Sequence, residues 1–177
     1  MVMNGRSNRV ILVSHCIINS NSICIGPKTP SIWPAMIDEV VQLLMKYRVG
    51  IVQLPCPEQL MYGFVRKGIT KTEMDTPNYR SFCRKIAEDA AELTKNYLKN
   101  GFKVVGFLGK RSSPTCGVKT VQVTGVDGRT VEVEGQGILV EELRKELEKR
   151  GVNLPFIDFE RTEVEKCLKG LEDILKS

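Results

Sequence analysis

The sequence predicts one α/β domain over residues 1–177, built on a parallel sheet with helices on both faces. Short apolar runs alternate with longer segments of helical periodicity along the chain, and such alternation is typical of parallel sheets. A chain of 177 residues can also bury one sizeable core but not two. We therefore expect a three-layer Rossmann-like or flavodoxin-like fold with an inserted β-hairpin.

Four short apolar runs carry the predicted parallel strands. Each run is shorter than a typical helix, as expected for a strand that is buried on both faces. The runs are Val10–Ser14, Gly50–Leu54, Lys103–Leu108 and Pro155–Phe159. Two further strands, Val118–Val126 and Thr130–Val133, flank Asp127-Gly128, which favours a two-residue hairpin turn.

Four segments with helical periodicity lie between and after these strands. They are Trp33–Tyr47, Pro77–Asn100, Ile138–Arg150 and Glu163–Leu175. Ser31 is the expected cap of the first helix, with Pro34 in its first turn, while Thr76 and Pro77 begin the second helix. Residues 55–75, between the second strand and the second helix, are predicted to form a long loop.

Composition and charge are those of an ordinary globular protein. Apolar residues make up 42% of the chain and charged residues 27%, with a net charge of +5, so disorder is not expected. This charge permits an anionic substrate or RNA without arguing for either, and we expect no DNA partner. The polar start and the short apolar runs predict a cytoplasmic protein with no membrane partner. Oligomeric state is left open.

Three of the six cysteines share a position in the predicted topology. Cys16 and Cys56 each lie two residues beyond a strand, and Cys116 lies in the loop after the third strand. The carboxyl ends of parallel strands meet at one edge of a sheet, so these thiols should lie on one side of the molecule. A disulfide framework is not expected in a reducing compartment, and the spacing is not that of paired zinc ligands. The residues alone leave a metal site and structural coincidence equally open.

The other cysteines and the single histidine have different surroundings. Cys83 and Cys167 lie among apolar residues of two helices and are predicted to be core residues. Cys24, in the first polar loop, is left open as a fourth metal ligand, a reactive thiol or neither. Strand alternation directs His15 away from Cys16, so His15 is a second-rank catalytic candidate.

Charged and aromatic residues near the strand ends are candidates for substrate binding. Lys110 and Arg111 follow the third strand and could hold a phosphate or an anionic base at the same edge. Tyr62 and Arg66 follow Cys56 and could stack on or clamp a substrate. Each has a plain alternative, either a solvated loop charge or an aromatic ring that covers the core.

Four short motifs occur in a fixed order along the chain. They are Ile11-Leu12-Val13-Ser14-His15-Cys16, then Cys56-Pro57-Glu58 with Gly63 beyond, then Ser113-Pro114-Thr115-Cys116-Gly117, and then Gly135-Gln136-Gly137. Together they resemble the family that contains the thiouracil desulfurases, over about Val10 to Phe159. The sequence departs from the family pattern after Cys16 and after Cys56, where a substrate would be held, so we expect a divergent branch.

The resemblance implies a cofactor and a reaction. The family holds a 4Fe–4S cluster on three cysteines, which match Cys16, Cys56 and Cys116, and one iron has no protein ligand. That iron would bind the sulfur of a thiolated base or related thiocarbonyl compound, for a desulfuration without net electron transfer. The matched Glu58 and Ser113 would be the acid–base and positioning groups. Such a cluster is oxygen-sensitive and can be lost in aerobic preparation.

Other classes of function stay open at the level of sequence. The same cluster could serve sulfur transfer to or from a thiolated nucleotide in tRNA. Without a cluster, the chain could be a Rossmann-like module for a small ligand, although no G-x-G-x-x-G follows the first strand. A zinc-stabilised protein with Cys24 as the fourth ligand is a third alternative.

Overall fold

In the computed structural model, which describes residues 5–25 and 34–176, the strands form two separate sheets. They are β1 (Arg9–Val13), β2 (Gly50–Gln53), β3 (Lys103–Lys110), β4 (Thr120–Thr124), β5 (Thr130–Glu134) and β6 (Phe156–Phe159). Strands β2, β1, β3 and β6 lie side by side in that order and are all parallel, while β4 and β5 form an antiparallel hairpin. The prediction of a Rossmann-like α/β fold with an inserted hairpin is confirmed.

Helices cover both faces of the parallel sheet. The described helices are α1 (His15–Ile18), α2 (Asp38–Lys46), α3 (Pro57–Tyr62), α4 (Lys71–Met74), α5 (Pro77–Lys99), α6 (Ile138–Lys149) and α7 (Val164–Lys176). Helices α5 and α6 pack on one face, and α2 and α7 pack on the other. Within residues 5–25 and 34–176, no helix has the length and apolar character that crossing a membrane requires.

The alternation of side chains along β1 divides the core into two clusters. Leu12 packs towards α5 and α6, whereas Ile11 and Val13 pack towards α2 and α7, and all three are fully buried. Cys83 is fully buried in the first cluster, and Cys167 packs against the second. The prediction of a core residue is confirmed for Cys83, whereas Cys167 is partly buried at the edge of the core.

The first predicted helix begins later than its apolar pattern indicates. Helix α2 starts at Asp38, so the prediction that Pro34 lies in the first turn is wrong. Asp38 and Glu39 place negative charge at the positive end of the helix dipole, which favours a start at this point. The predicted cap Ser31 and the apolar Trp33 lie outside the described residues.

The stretch predicted as a loop, residues 55–75, contains the short helices α3 and α4, so that prediction is wrong. Cys56 caps α3 and Pro57 occupies its first turn, while Thr70 and Glu73 form a capping box at α4. These are helix-start signals. The helices have only six and four residues, too few for an apolar repeat to reveal them in the sequence.

The hairpin turn contains three residues rather than the predicted two. Gly125 N donates to Arg129 O over 2.7 Å, and Gly128 N donates to Gly125 O over 2.9 Å. The turn therefore consists of Val126, Asp127 and Gly128. Gly128 adopts φ +77°, in the left-handed region that favours glycine.

Asp158 on β6 connects the hairpin to the parallel sheet. Its carboxylate oxygens accept hydrogen bonds from the backbone N–H groups of Val118 over 2.6 Å and Lys119 over 2.7 Å. Burial raises the pKa of Asp158, and the two N–H donors oppose that rise. These bonds hold the segment that enters β4 beside β6.

The start of α6 packs directly against the turn that carries Cys116. The backbone N–H groups of Ile138 and Leu139 donate to the carbonyl oxygens of Pro114 and Thr115, each over 3.0 Å. These bonds satisfy donors that a helix start leaves without an intrahelical partner. A Cβ atom on Gly137 would overlap the Thr115 carbonyl group and lie 2.6 Å from Cys116 N. The glycine is therefore required for this close approach.

Replacing Gly137 should destabilise the protein for this steric reason. We expect Gly137→Ala to lower the free energy of unfolding by about 1–3 kcal/mol, as overpacking of a close contact does. Gly170→Ala is the matched control, because Gly170 lies in α7 with no atom within 4 Å of its added Cβ. It should raise the free energy of unfolding by about 0.5–1 kcal/mol. Urea unfolding measures both, and equal effects would contradict the proposed contact.

Candidate functional site

Three cysteines lie at the carboxyl edge of the parallel sheet. Cys16 follows β1 in α1, Cys56 follows β2 and caps α3, and Cys116 lies in the turn after β3. All three thiols are free. The charge of Cys16 interacts with that of Cys56, and Cys116 interacts with both. The structure thus brings together the three cysteines selected from the topology, here called the thiol centre.

Burial controls the ionisation of the thiol centre. It raises the pKa of Cys16 to about 12, against the opposing effect of the Lys110 ammonium group. Burial also raises the pKa of Cys56. The pKa of Cys116 is raised well above its ordinary value by burial first, and then by repulsion from the charges of Cys16 and Cys56. The thiols therefore keep their protons at neutral pH unless a cation binds them, and such binding would release the protons.

Three basic side chains from different elements lie close to the thiol centre. Lys110, the last residue of β3, interacts with the charge of Cys16. Arg161, in the turn after β6, donates to the backbone oxygen of Cys16 over 3.3 Å. Arg66 Nη2 lies 3.9 Å from Cys56 Sγ. This positive charge is suited to a negatively charged group, such as a metal cluster with thiolate ligands.

Glu58 and Arg66 form a shielded ion pair beside Cys56. Arg66 Nη2 lies 3.5 Å from Glu58 Oε2, and the two side chains are 5% and 13% exposed. Arg66 also donates to the backbone oxygens of Ser22 over 2.6 Å and of Gly63 over 3.2 Å. The arginine expected at the substrate is thus buried and joins three segments of the chain. Its contact with a substrate stays a prediction.

The turn from Ser113 to Cys116 is fixed by side-chain hydrogen bonds. Ser113 Oγ accepts from the backbone N–H groups of Thr115 over 3.2 Å and of Cys116 over 3.0 Å. Thr115 Oγ1 donates to Glu58 Oε1 over 2.8 Å. Ser113 therefore holds the turn that carries Cys116, and its contact with a substrate stays a prediction. Sequence reasoning did not select Thr115.

Arg111 and Tyr62 have protein contacts that the sequence does not reveal. Arg111 forms ion pairs with Glu163 over 2.9 Å and with Glu132 over 3.6 Å, which link the hairpin to the segment before α7. The ring of Tyr62 stacks on that of Tyr79, with centroids 5.7 Å apart, and stays 37% exposed. Tyr62 thus keeps an accessible surface, and its hydroxyl interacts with the charge of Glu58, whereas Arg111 is engaged elsewhere.

Cys24 and His15 border the site without an assigned role. Burial raises the pKa of Cys24, whose charge interacts with Glu58 and Arg66. His15 Nε2 lies 3.4 Å from Asn19 Nδ2, and burial lowers the pKa of His15. The Glu58–Arg66 pair therefore influences the ionisation of Cys24.

A single metal ion and a cluster require different spacings of their protein ligands. In the part of the chain that the structure describes, no three histidine, cysteine, aspartate or glutamate side chains are close enough to hold one metal ion. The zinc alternative with Cys24 as a fourth ligand therefore gains no support from these residues. A 4Fe–4S cluster binds each thiolate through a different iron, so its protein ligands are spread over a larger group.

Comparison with known proteins gives one relative by sequence. The chain is 34% identical over 173 residues to the uncharacterised protein MJ0003 of Methanocaldococcus jannaschii, which covers 97% of this chain and 99% of that protein. The chain belongs to the MJ0003 family. No family model matches it.

Comparison with solved structures places this MJ0003-family protein in a known fold. The structure of the 4Fe–4S-dependent thiouracil desulfidase TudS matches with a TM-score of 0.50 and 19% identity, covering 93% of this chain and 98% of that one. The resemblance predicted from the four motifs is thus confirmed as a resemblance of fold. The identity of 19% means that the likeness to TudS is one of fold, with a sequence that has diverged widely.

Loss of the Arg66 side chain should destabilise this MJ0003-family protein. We expect Arg66→Met to lower the free energy of unfolding by about 3 kcal/mol, because Glu58 would then be a shielded charge without its ion-pair partner. The neighbouring Lys67 is exposed, so Lys67→Met should change the free energy of unfolding by less than about 0.5 kcal/mol. Urea unfolding at neutral pH measures both values. Similar stability of the two variants would contradict a structural role for Arg66.

Proposed function

We propose that this protein removes sulfur from a thiolated nucleobase or a related thiocarbonyl compound, using a 4Fe–4S cluster bound by Cys16, Cys56 and Cys116. The observation that carries the proposal is the convergence of these thiols from three strand ends, next to Glu58. Three ligands for four irons would leave one iron open to a substrate. The fold shared with TudS is consistent with this arrangement.

The chemistry of the thiol centre suits such a cluster. Burial makes free thiolates unfavourable at this position, and iron would supply the compensating positive charge. Lys110, Arg161 and Arg66 would offset the remaining negative charge of a thiolate-bound cluster. When bound, the cluster supplies an open iron, a Lewis acid that prefers soft sulfur to hard oxygen ligands.

Glu58 is the group in this chain that can move protons in the reaction. Conversion of C=S to C=O consumes one water and releases one sulfide, without net electron transfer. The water gives up both of its protons, and the released sulfide takes up two, so a single positioned carboxyl group that accepts and returns protons can serve the whole conversion. Glu58 lies two residues after Cys56 and is held by Arg66 and Thr115. We assign the acid–base role to Glu58.

Lys110 and Tyr62 are the groups best placed to bind the substrate. Lys110 is partly buried and interacts with the charge of Cys16, so it could balance negative charge on a bound base. Tyr62, the last residue of α3, presents a partly exposed ring on which a planar base could stack. Ser113 is close to both Thr115 and Cys116 and could orient the base through its remaining hydrogen.

Anaerobic reconstitution with iron and sulfide tests cofactor and reaction together. We expect about four irons per chain, with visible absorption, and the release of sulfide from thiouracil. The variants Cys16→Ala, Cys56→Ala and Cys116→Ala should each lose the iron, because each removes one ligand. The matched controls Cys83→Ala and Cys167→Ala lie in the helical core and should keep it.

The possible results separate the parts of the proposal. Equal iron content in all five cysteine variants would refute the ligand assignment, and parent protein without iron would refute the cofactor. Iron without sulfide release from thiouracil would redirect the assay to a thiolated nucleotide in RNA. Sulfide release from that substrate would retain the chemistry and change the substrate class.

Neutralisation of Glu58 should stop the reaction without removal of the cofactor. Gln has nearly the same shape as Glu but cannot exchange a proton at neutral pH. We therefore expect Glu58→Gln to keep its iron and to lose about 10²–10⁴-fold in kcat. Iron analysis and steady-state kinetics on the same sample measure the iron content and the kcat. Full turnover with unchanged iron would remove Glu58 from the mechanism.

A further inference from the structure

The buried hydroxyl groups of Tyr79 and Thr115 form a series of hydrogen bonds that ends at Glu58. We propose that Tyr79 and Thr115 are positioning residues, which fix one carboxylate oxygen of Glu58 and leave the other at Arg66, whose guanidinium group also contacts Cys56. The inference rests on the proposed function, since it concerns the acid–base group of that reaction. Sequence reasoning selected neither residue, because each lies in a context that also suits a core position.

The hydrogen bonds behind Glu58 are short and shielded from water. Thr115 Oγ1 lies 2.8 Å from Glu58 Oε1 and 2.8 Å from the Tyr79 hydroxyl oxygen. Tyr79 is fully buried, and Thr115 is 1% exposed. Hydrogen bonds among shielded groups are stronger than exposed ones because water does not compete for them.

The direction of these bonds follows from the number of protons available. A carboxylate only accepts hydrogen bonds, whereas Thr115 has a single proton to donate. Met74 Sδ, at 3.4 Å from Thr115 Oγ1, is a weaker acceptor than Glu58 Oε1. Thr115 therefore donates to Glu58, and the Tyr79 hydroxyl donates to Thr115. Burial raises the pKa of Tyr79, so the phenol keeps the proton that it donates.

The second oxygen of Glu58 has a different environment. Arg66 Nη2 lies 3.5 Å from Glu58 Oε2 and 3.9 Å from Cys56 Sγ, so Oε2 and the Cys56 thiol share one guanidinium nitrogen. The contact of Oε2 is longer than the 2.8 Å bond of Oε1. We therefore assign Oε1 as the fixed oxygen and Oε2 as the one that exchanges protons with water or substrate.

The hydrogen bonds from Tyr79 through Thr115 to Glu58, here called the relay, connect the site to the longest helix of the fold. Tyr79 lies in the first turn of α5, which runs from Pro77 to Lys99, and its backbone N–H bonds the capping residue Thr76 over 3.2 Å. Its ring also stacks on Tyr62. A reactive group is held most accurately when its supporting residues lie on rigid elements. The relay would therefore transmit the position of α5 to Glu58.

Kinetics of conservative variants test the positioning role. We expect Tyr79→Phe to lower kcat about tenfold, equivalent to about 1.4 kcal/mol, and Thr115→Val to lower it at least as much. KM should stay within about twofold, because the relay acts on the chemical step. Thr115→Ser keeps the hydroxyl and should retain the parent kcat. The matched control Tyr47→Phe removes a 2.6 Å phenol–carboxylate bond to Glu172, between α2 and α7, and should also retain it.

A spectroscopic measurement tests the relay independently of turnover. In protein labelled with ¹³C at glutamate carboxyl carbons, the Glu58 signal is the one that Glu58→Gln removes. We expect this signal to shift in Thr115→Val and to shift less in Tyr79→Phe. It should keep its position in Thr115→Ser and Tyr47→Phe. An unmoved signal in Thr115→Val would overturn the relay, whether or not the protein desulfurates any substrate.

The two measurements separate the relay from the function on which it rests. In Thr115→Val, a shifted Glu58 carboxyl signal together with a lowered kcat supports the inference. A shifted Glu58 signal in this variant with the kcat of the parent protein would overturn the positioning role. A shifted signal in protein that carries iron but releases no sulfide from a thiolated base or nucleotide supports the hydrogen bonds and overturns the proposed function.

Discussion

The close packing of backbone around the Cys116 turn is the constraint on which the site depends. Added Cβ atoms on Gly109 and Gly137 would overlap the backbone of this turn, and one on Gly117 would lie 2.8 Å from Ser113 O. These three glycines allow β3, α6 and the turn to approach each other. In this packing, Thr115 lies against Glu58, and Cys116 lies near the other thiols.

Charge at the carboxyl edge is arranged around groups that burial disfavours. The thiols of Cys16, Cys56 and Cys116 resist ionisation, while Lys110 and Arg161 are placed to favour it. A fold without a ligand gains little from such an arrangement, because burying charged groups costs free energy. The arrangement would become favourable if the iron of the proposed cluster bound the thiols, which is why we place the proposed cofactor at this edge.

The sequence predicts the sheet and the meeting of the thiols because both depend on topology. Apolar runs identify β1 and β3, and the rule that parallel strands end at one edge brings Cys16 and Cys116 together. The same rule could have identified Arg161, which follows β6. The contacts of Thr115 with Tyr79 and Glu58 could not be predicted, because they join three distant segments through side-chain geometry. Helices α3 and α4 were missed because they are too short to show periodicity.

The segment from α3 to α4 begins and ends at fixed points. Cys56 caps its first helix, and Thr76 caps the long helix that follows it. Between them lie Glu58, Tyr62 and Arg66, while Cys16 and Cys116 belong to other parts of the chain. Substitutions in this segment outside Glu58 and Arg66 can therefore alter the surface beside the thiol centre without disturbing two of the three thiols. The segment is the part of this edge that relatives can vary while the strands that lead to Cys16 and Cys116 stay the same.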